Sequence, residues 1–394
     1  MIFYFDFNIS IITLILLSIA FICAIILLFF YRKRISCIYK HQETCDKKDA
    51  SSFYNAPSAS IIVYADDEAT NLKTLIPQIL EQDYHSPYEV IVVNDGACES
   101  TRDVVNEFEM RYSNLYLTFT PDRSRSLSRK KLALTLGIKA ARHEVIILLN
   151  ANSRVNSNKW LAHIARNFND TTDIVIGYAT PHIDTDSSMG KRRRAFDRIA
   201  EAVTYLSAAI YNNPYRGFSY NLAYRKSCFF ENKGFSRSLN LHFGEDDVFI
   251  NEICSPHNTA VELSQDSIVE CRFHNTINSH KELKQRYCYT AKFIRKASRR
   301  IFGFYSCCIW IWLIASLGAI LTSLPNLFTL SIATILALTL WVPIIIAWRK
   351  ASIALQSRRL CTTIPWFTLT RPFYNALYKI KSKRNYRRNH TWIK

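Results

Sequence analysis

Charge is missing from two long stretches of this chain: Ile9–Tyr31 holds none over 23 residues, and Ile301–Trp348 none over 48. A membrane-crossing helix needs roughly 20 apolar residues. The first stretch therefore predicts one crossing, and the second predicts two, broken near Ser323-Leu324-Pro325-Asn326. No basic run precedes the first stretch, which argues against a cleaved signal peptide and for an anchor. No ionisable residue lies inside either stretch, which argues against a transport pathway. The eleven cysteines form no CxxC pair, and the ten histidines form no HxxxH or HExxH pair. A zinc site or a disulfide framework is thereby excluded at the level of sequence pattern. Internal repeats and low-complexity tracts are also absent.

Acidic residues are missing as well, but only from one place. After Trp348 the chain carries twelve Lys or Arg and no Asp or Glu, which supplies two thirds of the net charge of +18. The other basic clusters, Arg32–Arg34 and Arg295–Arg300, also border the apolar stretches. Positive charge beside a span marks the cytoplasmic side, so the N-terminus is expected outside and the central region in the cytoplasm. The same charges favour anionic membrane lipid. Nucleic acid is the competing explanation of a high isoelectric point, but no nucleic-acid motif is present, and the charge sits at membrane borders.

These boundaries predict an anchor over 1–34, a polar linker over 35–57, a cytoplasmic domain over 58–300, a hairpin of two spans over 301–348 and a basic tail over 349–394. From Ser58 the sequence alternates. SASIIVYA, YEVIVVN, LYLTFT, EVIILLN and DIVIGYA read as strands, and the segments between them carry apolar residues at helical spacing. Strands alternating with helices predict a Rossmann-like α/β domain with a largely parallel sheet, helices on both faces, and ligands past the carboxyl ends of the strands. Asp66-Asp67-Glu68, Asn94-Asp95-Gly96 and Asn150-Ala151-Asn152 all fall at such ends. Further on, GEDDVFI (244–250) sets three carboxylates before an apolar anchor.

Six pieces in order, IIVYADDEATNL, EVIVVNDGACEST, KKLALTLGIKAA, the strand ending LLNAN, PYRGFSYNLAYRK and GEDDVFI, resemble the membrane-associated family 2 glycosyltransferases with a GT-A fold. The resemblance covers roughly residues 58–300. It implies an inverting transfer of sugar from a nucleotide-diphosphate sugar to a hydroxyl of a glycan or lipid-linked acceptor, in polysaccharide or glycolipid synthesis at the cytoplasmic membrane. By the same resemblance Glu68, with Asp67 beside it, meets the nucleoside. Asp95 hydrogen-bonds the base or ribose, and Lys130 lies near the diphosphate, with Arg129 and Lys131 as competitors for that place. Asp246 is the base that takes the acceptor's proton, with Asp247 as its alternative and Glu245 in support. Asn221, Arg286 and Tyr287 are expected on the acceptor and diphosphate side.

Three departures from the family pattern stand out. The D-x-D metal motif reads Asn150-Ala151-Asn152, an arginine before Asn221 is replaced by Tyr220, and the Q-x-x-R-W motif reads Leu283-Lys284-Gln285-Arg286-Tyr287. The family implies a divalent cation, Mg²⁺ or Mn²⁺. Both are hard cations that favour charged oxygen ligands, and amides are neutral. Metal binding at Asn152 is therefore expected to be weak or absent, with Lys130 or Arg286 sharing the task of neutralising phosphate. The substitutions also frame the alternative reading, a catalytically silent relative that binds a nucleotide sugar, a lipid or a partner enzyme.

Overall fold

A computed structural model describes residues 6, 9–48, 53, 56–121, 128–182, 188–272, 276–295, 297–357, 360 and 362–390. Parts of the linker (49–52 and 54–55) and the last four residues of the basic tail lie outside the described residues. Ten strands occur in chain order: β1 Ala59–Ala65, β2 Tyr88–Asp95, β3 Leu115–Thr120, β4 Val145–Asn150, β5 Ser153–Arg154, β6 Ile174–Ile176, β7 Ala179–Pro181, β8 Leu222–Arg225, β9 Thr259–Val261 and β10 Val269–Cys271. The helices begin with α1 Ile11–Phe30, α2 Ser36–Asp46, α3 Ala69–Leu80, α4 Glu99–Glu109, α5 Arg129–Ala140, α6 Trp160–Ala165 and α7 Met189–Ile210. They continue with α8 Lys226–Glu231, α9 Asp247–Ile253, α10 Thr276–Thr290, α11 Ala297–Ser323, α12 Leu327–Thr339, α13 Trp341–Ala354 and α14 Ile364–His390.

The main sheet runs β3-β2-β1-β4-β8-β6-β9, with β1, β2, β3 and β4 parallel and β8 antiparallel to both of its neighbours. The β4 strand is buried along its whole length because helices cover both faces, as parallel sheets require. Alternate residues point to opposite sides. Ile61, Val63, Val90, Val92, Ile147 and Leu149 face the layer that holds α3, α4 and α6. Ile62, Ile91, Val93, Ile146 and Leu148 face the layer that holds α5 and α7, and that core runs on into α1, α11 and α13. The apolar helices are thus packed onto one face of the α/β domain.

Three helical segments are long and apolar enough to cross a membrane: Ile11–Asp46, Arg300–Ser323 and Leu327–Ala354. The break between the last two falls at residues 324–326, where Asn326 caps α12 by accepting from the Phe328 N–H. The first part of the expected linker is helical instead. A π-turn over Tyr31–Ile35, which buries Ile35, leads into α2, which buries Ile38, Gln42 and Cys45. The tail differs too, since α13 carries on through Arg349 and Lys350, and α14 packs back on the domain.

DIVIGYA, expected as one strand, is split into β6 and β7, which belong to different sheets. The break lies at Gly177, where a Cβ would stand 2.6 Å from the Asn221 side chain. Only glycine lets the strand pass that close. The small sheet β5-β10-β7 then brings Arg272 back to the end of β4, with its N–H donating to the Asn152 carbonyl at 2.9 Å.

Candidate active site

Parallel pairing sets the ends of β1, β2 and β4 on one edge: Ala65 pairs with Asn94, and Tyr64 with Asn150. Since β8 runs antiparallel from Leu222, opposite Leu148, the preceding Ser219, Tyr220 and Asn221 arrive at the same edge.

Asp95 is buried there. Its Oδ2 accepts from the Tyr64 hydroxyl at 2.7 Å, and its Oδ1 from Thr120 at 2.6 Å and Arg129 Nε at 3.1 Å. A carboxylate has about four acceptor sites, so one remains for a ligand. In the loop before α3, Asp67 takes a positive φ of 50° and accepts from the Cys98 thiol at 3.1 Å, while Glu68 accepts from the Asn71 amide. Both lie on the loop past β1, at the same sheet edge as Asp95.

The acidic motif is fully buried. Gly244 adopts a φ of 114°, a region that disfavours any side chain, and turns the chain into α9. Asp246 caps that helix, its Oδ1 accepting from the Asp247 N–H at 2.8 Å and from Arg286 at 2.6 Å. Its Oδ2 accepts from the Ser219 N–H at 3.3 Å. Arg286 also pairs with Glu245 at 2.9 Å, and Lys130 lies 3.6 Å from Glu245 and donates to Ser219 Oγ at 3.2 Å. The Lys130 ammonium sits over the rings of Tyr64 and Tyr220, at 5.1 and 5.7 Å. Asp247 instead accepts from the Thr290 hydroxyl and from the Val248 N–H at 2.9 Å.

The two adjacent aspartates are driven apart electrostatically. Burial alone would raise Asp246, but Arg286, then Lys130 and Arg216, outweigh it and hold the carboxyl at about 2. Burial, and then the charge of Asp246, push Asp247 up to about 6 against the pull of Arg216 and Arg286. Burial also lowers Lys130, with Glu245 opposing.

The three adjacent basic residues take three different places. Arg129 serves Asp95, and Lys130 faces the acidic motif. Lys131 is buried and donates to the carbonyls of Ser238, Leu241 and Phe243, the last two at 2.8 and 3.1 Å. Those bonds tie down the segment that leads into GEDD.

Asn221 spends its amide on structure. Its Nδ2 donates to the carbonyls of Tyr178 and Ser267 at 3.0 and 2.8 Å, and its Oδ1 accepts from the Trp160 indole at 3.2 Å. Tyr287 is covered by the Arg216 guanidinium, 3.3 Å above its ring centre. Arg216 is buried, with its Nε and one terminal nitrogen lacking any acceptor among the described residues, and Arg286 Nε is in the same position. Arg216 and Ser219 lie within PYRGFSYNLAYRK and Tyr64 within IIVYADDEATNL, but the sequence pattern singles out none of them, nor Thr290. Only the folded geometry brings them to the site.

Asn150 is buried with its Oδ1 unpartnered, and the Asn152 amide donates to the Arg272 carbonyl at 2.9 Å. This corner offers neutral oxygens and no carboxylate. Among the described residues no group of three His, Cys, Asp or Glu could hold a metal ion. The donor set does not fit a protein-held Mg²⁺ or Mn²⁺.

Several known proteins are similar to this chain. The chain is 26% identical over 172 residues to EpsH of Bacillus subtilis, named as a glycosyltransferase, a match covering 43% of this chain and 48% of that protein. It is 30% identical over 100 residues to the dolichyl-phosphate beta-glucosyltransferase ALG5D of Trichomonas vaginalis, covering 24% and 29%. The chain thus spans about half or less of the curated relatives it matches. Among solved structures, the mannosyltransferase PcManGT of Pyrobaculum calidifontis, in complex with GDP-Man and Mn²⁺, is similar at 16% identity with a TM-score of 0.47, covering 86% of this chain and 99% of that one. The model of glycosyl transferase family 2 matches residues 60–240, and that stretch is a domain of this family.

Proposed function

We propose that this chain moves a sugar from a nucleotide-diphosphate donor to a hydroxyl of a glycan or lipid-linked acceptor, with inversion, in polysaccharide or glycolipid synthesis. The domain works on the cytoplasmic face of the cytoplasmic membrane, and the N-terminus lies outside. One observation carries the reading: Lys130 and Arg286 meet Glu245 and Asp246 at the carboxyl edge of the sheet that also presents Asp95.

The chemistry follows from the lone pairs and charges left over. Asp95 has one acceptor site for a nucleoside hydroxyl or N–H. Lys130, Arg286 and Arg216, the last with two guanidinium nitrogens unpartnered among the described residues, are cations facing buried carboxylates, and a diphosphate competes for them. When Arg286 turns to the diphosphate, the strongest influence holding Asp246 low is weakened, and Asp246 becomes a stronger base. Its Oδ2 then takes the acceptor's proton as the acceptor oxygen bonds to the anomeric carbon. The bond from that carbon to the diphosphate breaks, and the cations take up the negative charge of the departing nucleoside diphosphate. No step is assigned to a metal, because the Asn150–Asn152 corner does not suit one.

The same neutral corner supports the second reading, a silent relative that binds donor without turning it over. Purified full chain, incubated with UDP-sugars and GDP-sugars and assayed for nucleoside diphosphate release, separates the two. Release by the wild type, lost in Asp246→Asn with donor binding kept, is the expected result. Wild-type binding without release would favour the silent reading.

A further inference from the structure

Helix α14 has two different faces. On one, Phe367, Arg371, Asn375 and Tyr378 follow at spacings of four, four and three, and all meet the domain. Phe367 packs on Phe196 at 5.7 Å. Arg371 reaches Asp197 at 3.0 Å and Glu201 at 3.1 Å, both on α7. Asn375 accepts from Lys284 at 3.0 Å, and Tyr378 meets the His280 ring edge-on at 6.2 Å. Lys284, on α10, closes the network by pairing with Asp197 at 2.8 Å and Glu201 at 2.9 Å. Three helices are therefore joined by two carboxylates that share two cations. Arg216 also lies 3.5 Å from Glu201 and His280 3.3 Å from Asp197, so removing Arg371 thins the positive charge around the two carboxylates and cuts the ion pairs between α14 and α7.

The helix held in this way, α10, also carries Arg286, two residues beyond Lys284. A bond that fixes Lys284 fixes the helix that delivers Arg286 to Asp246 and Glu245.

The other face of α14 presents Trp366, Phe373, Leu377 and Ile380, each more than half exposed. Phe373 packs edge-to-face on Trp310 of α11 at 5.3 Å. The stripe therefore continues the exposed apolar surface of a membrane-length helix, where Phe304, Ile311 and Ile314 also lie bare. Ile364–His390 contains seven Lys or Arg and no Asp or Glu. An apolar stripe on a basic, acid-free helix beside a span has the chemistry of a helix lying in an anionic membrane interface.

We propose that α14 is an interfacial strap: its outer face rests in the anionic headgroup layer while its inner face holds α7 through Arg371 on Asp197 and Glu201, and α10 through Asn375 on Lys284. Lipid contact then helps to position Arg286, and Arg371 is a positioning residue that touches no substrate. The strap is independent of which sugar or acceptor the domain uses.

The test places the full chain in nanodiscs of phosphatidylcholine, with or without phosphatidylglycerol, and reads amide hydrogen exchange by mass spectrometry. In the wild type, phosphatidylglycerol should slow exchange across residues 364–380. Arg371→Met should speed exchange across residues 276–290 by about tenfold, while α3 and β1 keep their protection and so report an intact fold. Arg371→Lys should restore much of that protection, and Leu377→Ser with Ile380→Ser should remove the lipid dependence but leave the clamp. Equal exchange of α14 in both lipid mixtures would overturn the membrane assignment and point to a protein partner for the stripe. An α10 unmoved by Arg371→Met would overturn the clamp.

Discussion

Arg286 donates to Asp246 at 2.6 Å, and both side chains are buried. The pair sets the resting state of the site: a base held ionised and weak, beside a cation that a diphosphate can claim.

Removing the cation should therefore be costly. Arg286→Met leaves Asp246 and Glu245 buried without their partner, and should destabilise the domain by about 3–5 kcal/mol. Denaturant unfolding of the detergent-solubilised chain measures this. Arg286→Lys keeps the charge and should lose less stability, while still weakening donor binding through loss of the planar fork.

The two aspartates should separate cleanly in activity. Asp246→Asn should lower transfer by about 10²–10⁴ while leaving donor affinity near wild type, since it removes the proton acceptor and not the phosphate cations. Asp247→Asn, whose carboxyl is occupied by Thr290 and the Val248 N–H, should fall far less. A larger loss in Asp247→Asn would exchange their roles.

Asp247 also gives a pH signature in stability. Its folded value, about 6, lies above its ordinary value of 3.8. The stability it contributes is full below pH 4 and is lost as the pH rises through 6. Asp247→Asn, neutral throughout, should therefore unfold at a higher temperature than wild type at pH 7, with the gap closing between pH 6 and pH 4. A gap that widened on acidification would contradict the assignment.

Restoring carboxylates should restore a metal dependence. With Asn150→Asp and Asn152→Asp together, donor binding should strengthen by about 10–100-fold on adding Mn²⁺, an effect absent from the wild type. Calorimetric titration with and without the ion reads this directly.

Much of this arrangement was legible in the sequence, for physical reasons. The strands β1, β2 and β4 carry apolar runs because they are buried on both faces, and the charge-free stretches mark the membrane-length helices. GEDD was legible because three carboxylates before an apolar anchor form an unusual pattern. The helical start of the linker was less plain, although Ile35, Ile38, Gln42 and Cys45 recur at spacings of three and four. Its many charged residues masked that stripe, and charge likewise hid the two faces of α14. Lys130 could not be told from Arg129 or Lys131 by pattern alone, since helical rotation decides which of three neighbours faces the acidic motif. Ser219, Thr290 and Arg216 reach the site only through tertiary contacts, and Asn221 carries a motif position while its amide bonds to the scaffold.

Transfer assayed in excess chelator tests the central claim most directly. Purified full chain in lipid nanodiscs, given its donor and an acceptor lipid extract, should release nucleoside diphosphate at the same rate in EDTA as in Mn²⁺, because Lys130 and Arg286 neutralise the departing charge. Turnover abolished by EDTA and restored by Mn²⁺ would contradict the account and return the metal to the Asn150–Asn152 corner.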